Sequence, residues 1–418
     1  MKKINFLNWR LILICTCLVF SIIAVSYKVI SVQIEDSLFL KNEGKKRYIK
    51  YRTINPVRGT IYDRNNTPLA VSIINYDLYA LNGLNTDRYL KLKDAISIQD
   101  DILIDGSFSQ KTLLKKGLTL DEQKTINELH FNNIEIEIRH SRHYPLGDQI
   151  APLIGFYGKD RAQEGIEKSY DSVLSGKNGK QKYYTNAKQK IISKPIEVIK
   201  TIQGQDIQLT IDSTIQFYAY KYLVEAITNN KAKAGTVLVF DNKSGEILAI
   251  ASYPSYNPNN PKREIQKNRA LIEAYELGSV LKPIVFSKAI DKKIFSPDAH
   301  IEIPRRLELG NTIITDPKIY EKLTPKEIVA YSSQVGASKI ALKLGYEELK
   351  YNYYSFGFTK PISINFPSAA FGLMNAKETV SDRELASLGY GYGLKVSPFQ
   401  LTAAYSTFAN NGIRKEFK

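Results

Sequence analysis

From Leu11 to Tyr27 the chain carries no charge, and Val29 to Ile34 extends the apolar run past Lys28. Seventeen residues is the short end for a bilayer span, and the extension lengthens it once the Lys28 amine reaches out to the interface. The run predicts one transmembrane helix, with Trp9 as an interfacial anchor. Ala24-Val-Ser26 is a passable small-residue cleavage site, so a cleaved signal peptide is the competing reading. Apolar periodicity that continues past Ser26 favours an uncleaved anchor. Lys2, Lys3 and Arg10 precede the run, which by the positive-inside rule leaves the N-terminus cytoplasmic and the main body extracytoplasmic. No other stretch is long and apolar enough to span.

Beyond the anchor the pattern changes. Residues 35–55 are polar and basic, a stalk leaving the membrane. Asp63-Arg-Asn-Asn66 lies between two strand-like runs and reads as a hairpin turn. Residues 73–150 alternate short strands with amphipathic helical stretches such as Leu120 to Leu129. Gly165 to Gly179 reads as a helix closed by a glycine-rich turn. Gly204-Gln-Asp206 marks a boundary. After it Ile207 to Ile211 reads as a strand, and Asp212-Ser-Thr214 caps a helix from Ile215 to Asn229. Gly235 to Phe240 and Glu246 to Ser252 alternate around Asp241-Asn-Lys-Ser-Gly245, an antiparallel hairpin. Pro254, Pro258 and Pro261 break the next stretch into a loop, and helical patterns dominate from there to Lys418. The expectation is an α+β chain in three parts: 1–34, a cytoplasmic tip and transmembrane anchor; 35–204, a stalk and mixed α/β pedestal; and 205–418, a further domain.

Composition narrows the function. The 418 residues are 43% apolar and 24% charged, ordinary for globular domains. The net charge of +16 suits anionic lipid head groups or wall polymers. The lysines are scattered along the sequence, as in a lysine-biased proteome, and neither a basic face nor a known module points to nucleic acid. The only cysteines, Cys15 and Cys17, both lie in the apolar segment, so disulfide frameworks and zinc-ligand spacings are excluded. Four dispersed histidines suggest no metal cluster, and no cofactor or metal is expected.

The candidate chemistry lies in Glu276-Leu-Gly-Ser-Val-Leu-Lys-Pro283. Three residues apart on a helix, Ser279 and Lys282 share one face. Gly278 suits a helix start, which puts Ser279 where free backbone N–H groups and the helix dipole favour an anion. A serine hydroxyl is a poor nucleophile alone, and a lysine neutralised by desolvation can act as its base. Val280, Leu281, Pro283, Ile284, Val285 and Phe286 make this helix apolar, so it should be buried, and its lysine with it.

Together with Arg58-Gly-Thr-Ile-Tyr-Asp-Arg64, Gly165-Ile-Glu167, Leu174-Ser-Gly176, Lys243-Ser-Gly-Glu-Ile-Leu-Ala249, Pro254-Ser-Tyr-Asn-Pro258, Ser332-Ser-Gln334, Gly389-Tyr-Gly-Tyr-Gly393 and Pro398-Phe-Gln-Leu401, this segment resembles the class B penicillin-binding proteins of the septal, FtsI type, in family order and over essentially the whole chain. The resemblance implies a non-catalytic, dimerisation-type pedestal followed by a penicillin-binding serine transpeptidase domain of β-lactamase-like fold. It implies peptidoglycan D,D-transpeptidation at division: Ser279 as nucleophile toward the penultimate D-Ala of a stem peptide, Lys282 as its base, Ser332 as the hydroxyl that relays a proton to the leaving group, and residue 334 as the amide that orients substrate. Expected partners are stem peptides, β-lactams, a lipid-II polymerase of the FtsW type and other division proteins, at the cytoplasmic membrane.

The chain departs from the family pattern in three places. Gln334 stands where asparagine is usual and carries one methylene more. Leu277 replaces the proline before Gly-Ser. No Lys-Thr/Ser-Gly follows Ser332, and Lys243-Ser-Gly245 belongs to the hairpin turn. By the resemblance, a third motif and three of five sheet strands would follow the helical region. The expectation is therefore a C-terminally truncated transpeptidase domain lacking its last strands, with a catalytically inactive scaffold or gene remnant as the alternative. Glu167 and the Arg58–Arg64 turn are expected to be structural, with a local ion pair in the turn. Tyr390 and Tyr392 are expected to pack or to line a groove.

Overall fold

The computed structural model describes residues 6–34, 36–98, 106–158, 161–187, 191–261, 267–367, 369–370, 372–374 and 378–417. The tip Met1 to Asn5, with Lys2 and Lys3, lies outside them. The chain divides into two compact units, Met1–Val57 with Gly176–Gly204, and Arg58–Ser175 with Gln205–Lys418.

The first unit opens with the helix Phe6–Ile34. Its segment Trp9–Ile34 has a mean hydropathy of 2.2 and is, among the described residues, the one helix long and apolar enough to cross a membrane. A second helix, Ser37–Tyr48, follows, so the expected stalk begins as helix. Strands Ile49–Ile54, Gly179–Tyr184 and Ile196–Ile199 form an antiparallel sheet with Gly179–Tyr184 in the middle.

In the second unit the expected hairpin forms. Ile61–Tyr62 turns at Asp63 into the long strand Pro68–Ala80. The Asp63 carboxylate accepts from the N–H groups of Asn65, Thr67 and Ser213 at 2.8, 2.7 and 3.1 Å. These bonds hold its pKa below the ordinary value despite burial. The long strand pairs with Ile134–His143 and Thr112–Lys115, and Ile207–Gln208 joins Ile61–Tyr62 in parallel. Helices Thr86–Ile96 and Leu120–Glu128 bury Tyr89, Leu92, Ile96 and Ile126 in a core shared with Leu78 and Leu114. Thr119 and Glu122 close the second helix with a reciprocal capping box.

The ion pairs of the Arg58–Arg64 turn are long-range rather than local. Arg58 donates to Glu167 at 2.7 Å and to Asp171 and Ser175 at 2.6 Å each. Arg142 holds the other Glu167 oxygen at 2.6 Å, and Glu167 is fully buried. Arg64 reaches Glu246 at 3.1 Å. Pairing a buried carboxylate with two guanidiniums offsets its desolvation, and only the fold brings these residues together.

The helix Ser213–Asn229 starts on the Asp212 cap and lies on the hairpin of Gly235–Phe240 with Ile247–Tyr253. Buried Gln216 accepts from Ile250 N–H at 2.8 Å and donates to Ile250 C=O at 3.0 Å, satisfying the strand's edge groups. The stretch after Pro261 is less purely helical than its pattern suggests. Tyr275–Glu276, Leu394–Val396 and Leu373–Met374 form a small antiparallel sheet, and Ile301–Glu302 with Lys322–Leu323 and Leu307–Leu309 with Thr312–Ile314 form two separate antiparallel pairs. Strands of two or three residues are too short to show a period of two. The core of this region gathers Leu281, Ile284, Val285, Val335, Ile340, Leu349, Tyr353, Leu385 and Leu388 from the helices Lys282–Asp291, Gln334–Leu344, Tyr346–Ser355 and Asp382–Gly389 and the turn before them.

Candidate active site

Three of the four expected site residues meet. Ser279 sits in a 3₁₀ turn, Gly278–Leu281, that runs into the α-helix Lys282–Asp291. Ser279 thus precedes the α-helix by one tight turn, where the sequence pattern suggested a plain helix start. Lys282 is 1% exposed. Its Nζ lies 3.0 Å from Ser279 Oγ, 2.9 Å from Ser332 Oγ and 2.8 Å from the Ser332 carbonyl oxygen. Ser332 Oγ donates to Ser279 Oγ at 2.7 Å. Gln334 opens the helix Gln334–Leu344, two residues after Ser332, and is exposed.

Burial pushes the Lys282 ammonium down to about 8, against the opposing pull of the Asp316 carboxylate. Near neutral pH the amine therefore has an accessible neutral form. With two hydrogens left it can donate to Ser332 Oγ and to the Ser332 carbonyl, and turn its lone pair on the Ser279 hydroxyl. That arrangement can take the proton from a serine attacking an acyl carbon and pass it on through Ser332.

The surrounding structure fixes the two serines. Ser332 adopts φ +60°, left-handed for a residue with a Cβ, a conformation that costs about 1–3 kcal/mol unless its neighbours enforce it. Asp316 supplies the enforcement just beyond it. Its carboxylate accepts from Gln334 N–H at 2.6 Å, Val335 N–H at 3.1 Å and the Ser333 hydroxyl at 2.5 Å. A remote carboxylate thus caps the helix Gln334–Leu344, where the positive end of the dipole favours it. Gly336 packs this helix onto Ile328, whose side chain would lie 2.7 Å from an added Cβ.

The Gly389–Gly393 segment braces the turn that carries Ser279. Gly391 C=O accepts from Gly278 N–H at 3.0 Å, and Glu276 Oε1 accepts from Gly393 N–H at 3.0 Å. Gly391 has φ +101°, and a Cβ there would fall 1.9 Å from the Gly278 oxygen, so glycine is required both by conformation and by contact. Tyr405, on the helix Pro398–Ala409, donates its hydroxyl to Val280 C=O at 2.5 Å. Tyr390 packs against the core, whereas Tyr392 is half exposed and lines a groove with Tyr346, Val380, Arg383 and Glu384.

Sequence reasoning missed Asp316 and Tyr405. Neither belongs to a contiguous motif, and neither is close in sequence to the residue it holds.

Known families match most of the chain. Residues 53–209 match the model of the penicillin-binding protein dimerisation domain, and residues 235–418 that of the penicillin-binding protein transpeptidase domain. A probable peptidoglycan D,D-transpeptidase PbpC from Pseudomonas aeruginosa is 33% identical, over 97% of this chain and 74% of the relative. The peptidoglycan D,D-transpeptidase FtsI of Escherichia coli is 32% identical, over 98% of this chain and 72% of its own length. Among solved structures, a chain of a peptidoglycan synthase complex that coordinates polymerization and crosslinking superposes with a TM-score of 0.76 at 20% identity, covering 98% of this chain and 78% of that one. Penicillin Binding Protein 2X from Streptococcus thermophilus does so at 0.70 and 23%, covering 88% and 60%. A serine–lysine–serine triangle built around buried Lys282, with Ser279 exposed, suits the serine-dependent penicillin-interacting class. The chain belongs to the penicillin-binding-protein transpeptidase family, with the dimerisation-plus-transpeptidase layout of its class B members.

Proposed function

We propose that this chain is a membrane-anchored peptidoglycan D,D-transpeptidase that cross-links stem peptides during cell division. The observation that carries the reading is the triangle of Ser279, Lys282 and Ser332, with every side at 3.0 Å or less around a buried lysine whose pKa is depressed. Ser279 Oγ attacks the penultimate D-Ala carbonyl as its proton moves to Lys282 Nζ. The C–N bond to the terminal D-Ala then breaks, and that nitrogen receives the proton through Ser332 Oγ. The amine of a neighbouring stem peptide attacks the ester, loses a proton to the same relay, and restores Ser279. A β-lactam follows the first half of this path and remains as the acyl-enzyme. Gln334 takes the place of the substrate-orienting amide.

The span Trp9–Ile34 anchors the chain in the cytoplasmic membrane. Lys2, Lys3 and Arg10 favour a cytoplasmic N-terminus and a body on the far side. The residues matching the dimerisation model, 53–209, serve as a non-catalytic pedestal, with transpeptidation assigned to the part from about residue 205 onward. A polymerase of the FtsW type and other division proteins are the partners this reading favours.

The test is release of D-alanine from a pentapeptide ending in D-Ala-D-Ala, with mass spectrometry of the trapped adduct. The expected result is an adduct on Ser279 that disappears in Lys282→Met. An adduct on another residue, or release unaffected by Lys282→Met, would overturn the assignment. A second reading, a non-catalytic scaffold, is favoured by Gln334 in the place of asparagine and predicts no adduct at all.

A further inference from the structure

The sheet of the smaller unit has no apolar core of its own. Among the described residues of 36–57 and 176–204 only Gly179 and Thr185 are buried, while Tyr51, Ile191, Ile192, Ile196, Val198 and Ile199 are each more than half exposed. A three-stranded sheet gains independent stability by covering an apolar face, so something is expected to cover this one.

The register shows which face. Tyr51 lies opposite Lys182, and Lys182 opposite Ile196, across all three strands. By the alternation of the pleat, Lys180 and Tyr184 stand on the same side as Lys182, and a register shift between Lys180 and Gln181 brings Ile199 opposite Lys180. Lys180 Nζ sits 4.6 Å from the centre of the Tyr51 ring and Lys182 Nζ 4.9 Å from that of Tyr184, with Tyr48 stacked on Tyr184 at 6.0 Å. Tyrosines, lysines and isoleucines are thus interleaved on one face.

The charge around it has one sign. The described residues of 36–57 and 176–204 hold eleven lysines and arginines against three acids. In sequence these cations belong to two distant stretches and look scattered, and the fold collects them. The helix Ser37–Tyr48, which leads from the span to the sheet, begins with Leu38 and Phe39 at 74% and 64% exposure and ends in Lys45, Lys46 and Arg47. It is about 18 Å long at 1.5 Å per residue, so the sheet starts close to the end of the span.

We propose that this tyrosine–lysine–isoleucine face docks on an anionic lipid surface. Lys180 and Lys182 pair with lipid phosphates, Tyr51 and Tyr184 sit at head-group level, and Ile196 and Ile199 enter the boundary with the acyl chains. The short connection to the span and the excess of one charge favour a lipid layer over a protein or a wall polymer, neither of which the span holds at this distance. The inference goes beyond catalysis and rests only on the membrane-anchor part of the functional reading.

The test uses the full chain with Cys15→Ser, Cys17→Ser and Ile196→Cys, the last carrying a polarity-sensitive fluorophore. It is placed in phosphatidylcholine nanodiscs with or without about one third phosphatidylglycerol, each holding spin-labelled quencher lipid. The expected result is quenching at least threefold stronger in the anionic discs, reversed by high salt and abolished by Lys180→Glu with Lys182→Glu. The milder Lys180→Gln with Lys182→Gln is expected to fall between, which guards against misfolding of the charge-reversed pair. Equal quenching in both discs, or none in either, overturns the proposal and leaves the face to a protein or wall-polymer partner. A chain that does not stay with the discs overturns the anchor as well, so the two failures are separable.

Discussion

Replacing Asp316 by asparagine separates two effects that one carboxylate exerts on the site. The first is mechanical. The carboxylate receives three donors, at 2.6, 3.1 and 2.5 Å, at the start of the helix Gln334–Leu344. Asparagine offers one acceptor oxygen and turns an NH₂ toward the remaining donors. Charge-assisted hydrogen bonds contribute roughly 1.5–3 kcal/mol each, and partial exposure reduces that, so a loss of about 2 kcal/mol in stability is expected. Ser332, held at φ +60° next to this cap, would relax. A shift on the order of 1 Å in a reacting group costs about a hundredfold in rate. The second effect is electrostatic and has the opposite sign. Asp316 raises the Lys282 pKa, which burial lowers to about 8. Without the carboxylate the amine loses its proton at lower pH. With Lys282 as the proposed base, acylation requires its neutral form, so the wild-type rate is expected to climb as pH rises through about 8. In Asp316→Asn the climb moves to lower pH while the plateau falls by roughly tenfold to a hundredfold. The assay is the second-order acylation rate with a chromogenic penicillin between about pH 6 and 10. An unchanged plateau, or an inflection that stays in place or moves up, refutes the role given to Asp316.

Three further variants test the same geometry. Lys282→Met lowers acylation by at least about a hundredfold, the scale of a lost general base. The same variant also changes stability: the folded-state pKa of about 8 lies below the ordinary 10.5, so the unfolded chain holds the extra proton between them. Wild-type stability therefore rises with pH across that window, Lys282→Met removes this component of the slope, and guanidinium unfolding near the two ends measures the difference. Glu167→Gln leaves Arg58 and Arg142 facing each other without their buried anion, and a thermal unfolding scan should show a loss of about 3–5 kcal/mol, with an unchanged midpoint counting against the network. Gln334→Asn shortens the amide by one methylene and is expected to raise the acylation rate several-fold; a lower rate would show that the surrounding site is shaped for glutamine.

Much of this could be read along the chain because it is local. The hairpin around Asp63, the Asp212 cap, the Gly235–Tyr253 hairpin and the buried character of the helix bearing Lys282 all leave periodic or turn signatures. Ser279 and Lys282 are also local, being one turn apart. What brings Ser332 to them is the packing of Val335 and Ile340 against Ile284 and Val285, and no spacing in the sequence encodes a distance across a core. Asp316 and Tyr405 stayed hidden for the same reason, since each acts on groups far away in sequence, and Gly391 was visible as part of a motif but its contact with Gly278 was not. The Arg58–Arg64 turn, rich in charge, looks self-sufficient along the chain until Glu167, Asp171 and Glu246 are placed as its partners. The basic face of the first unit was likewise invisible, since its strands come from two separate stretches. Strands of two residues escaped because a period of two needs at least four positions to appear.

The central claim is that Ser279, activated by Lys282, is an acylable nucleophile. The most direct measurement is labelling of the chain by a fluorescent penicillin in membranes, beside a Ser279→Ala control of equal abundance. The account predicts a labelled band that vanishes in Ser279→Ala and fades as pH falls below about 8, where Lys282 holds its proton. A present, membrane-bound chain that takes no label, or a band that survives Ser279→Ala, would contradict it.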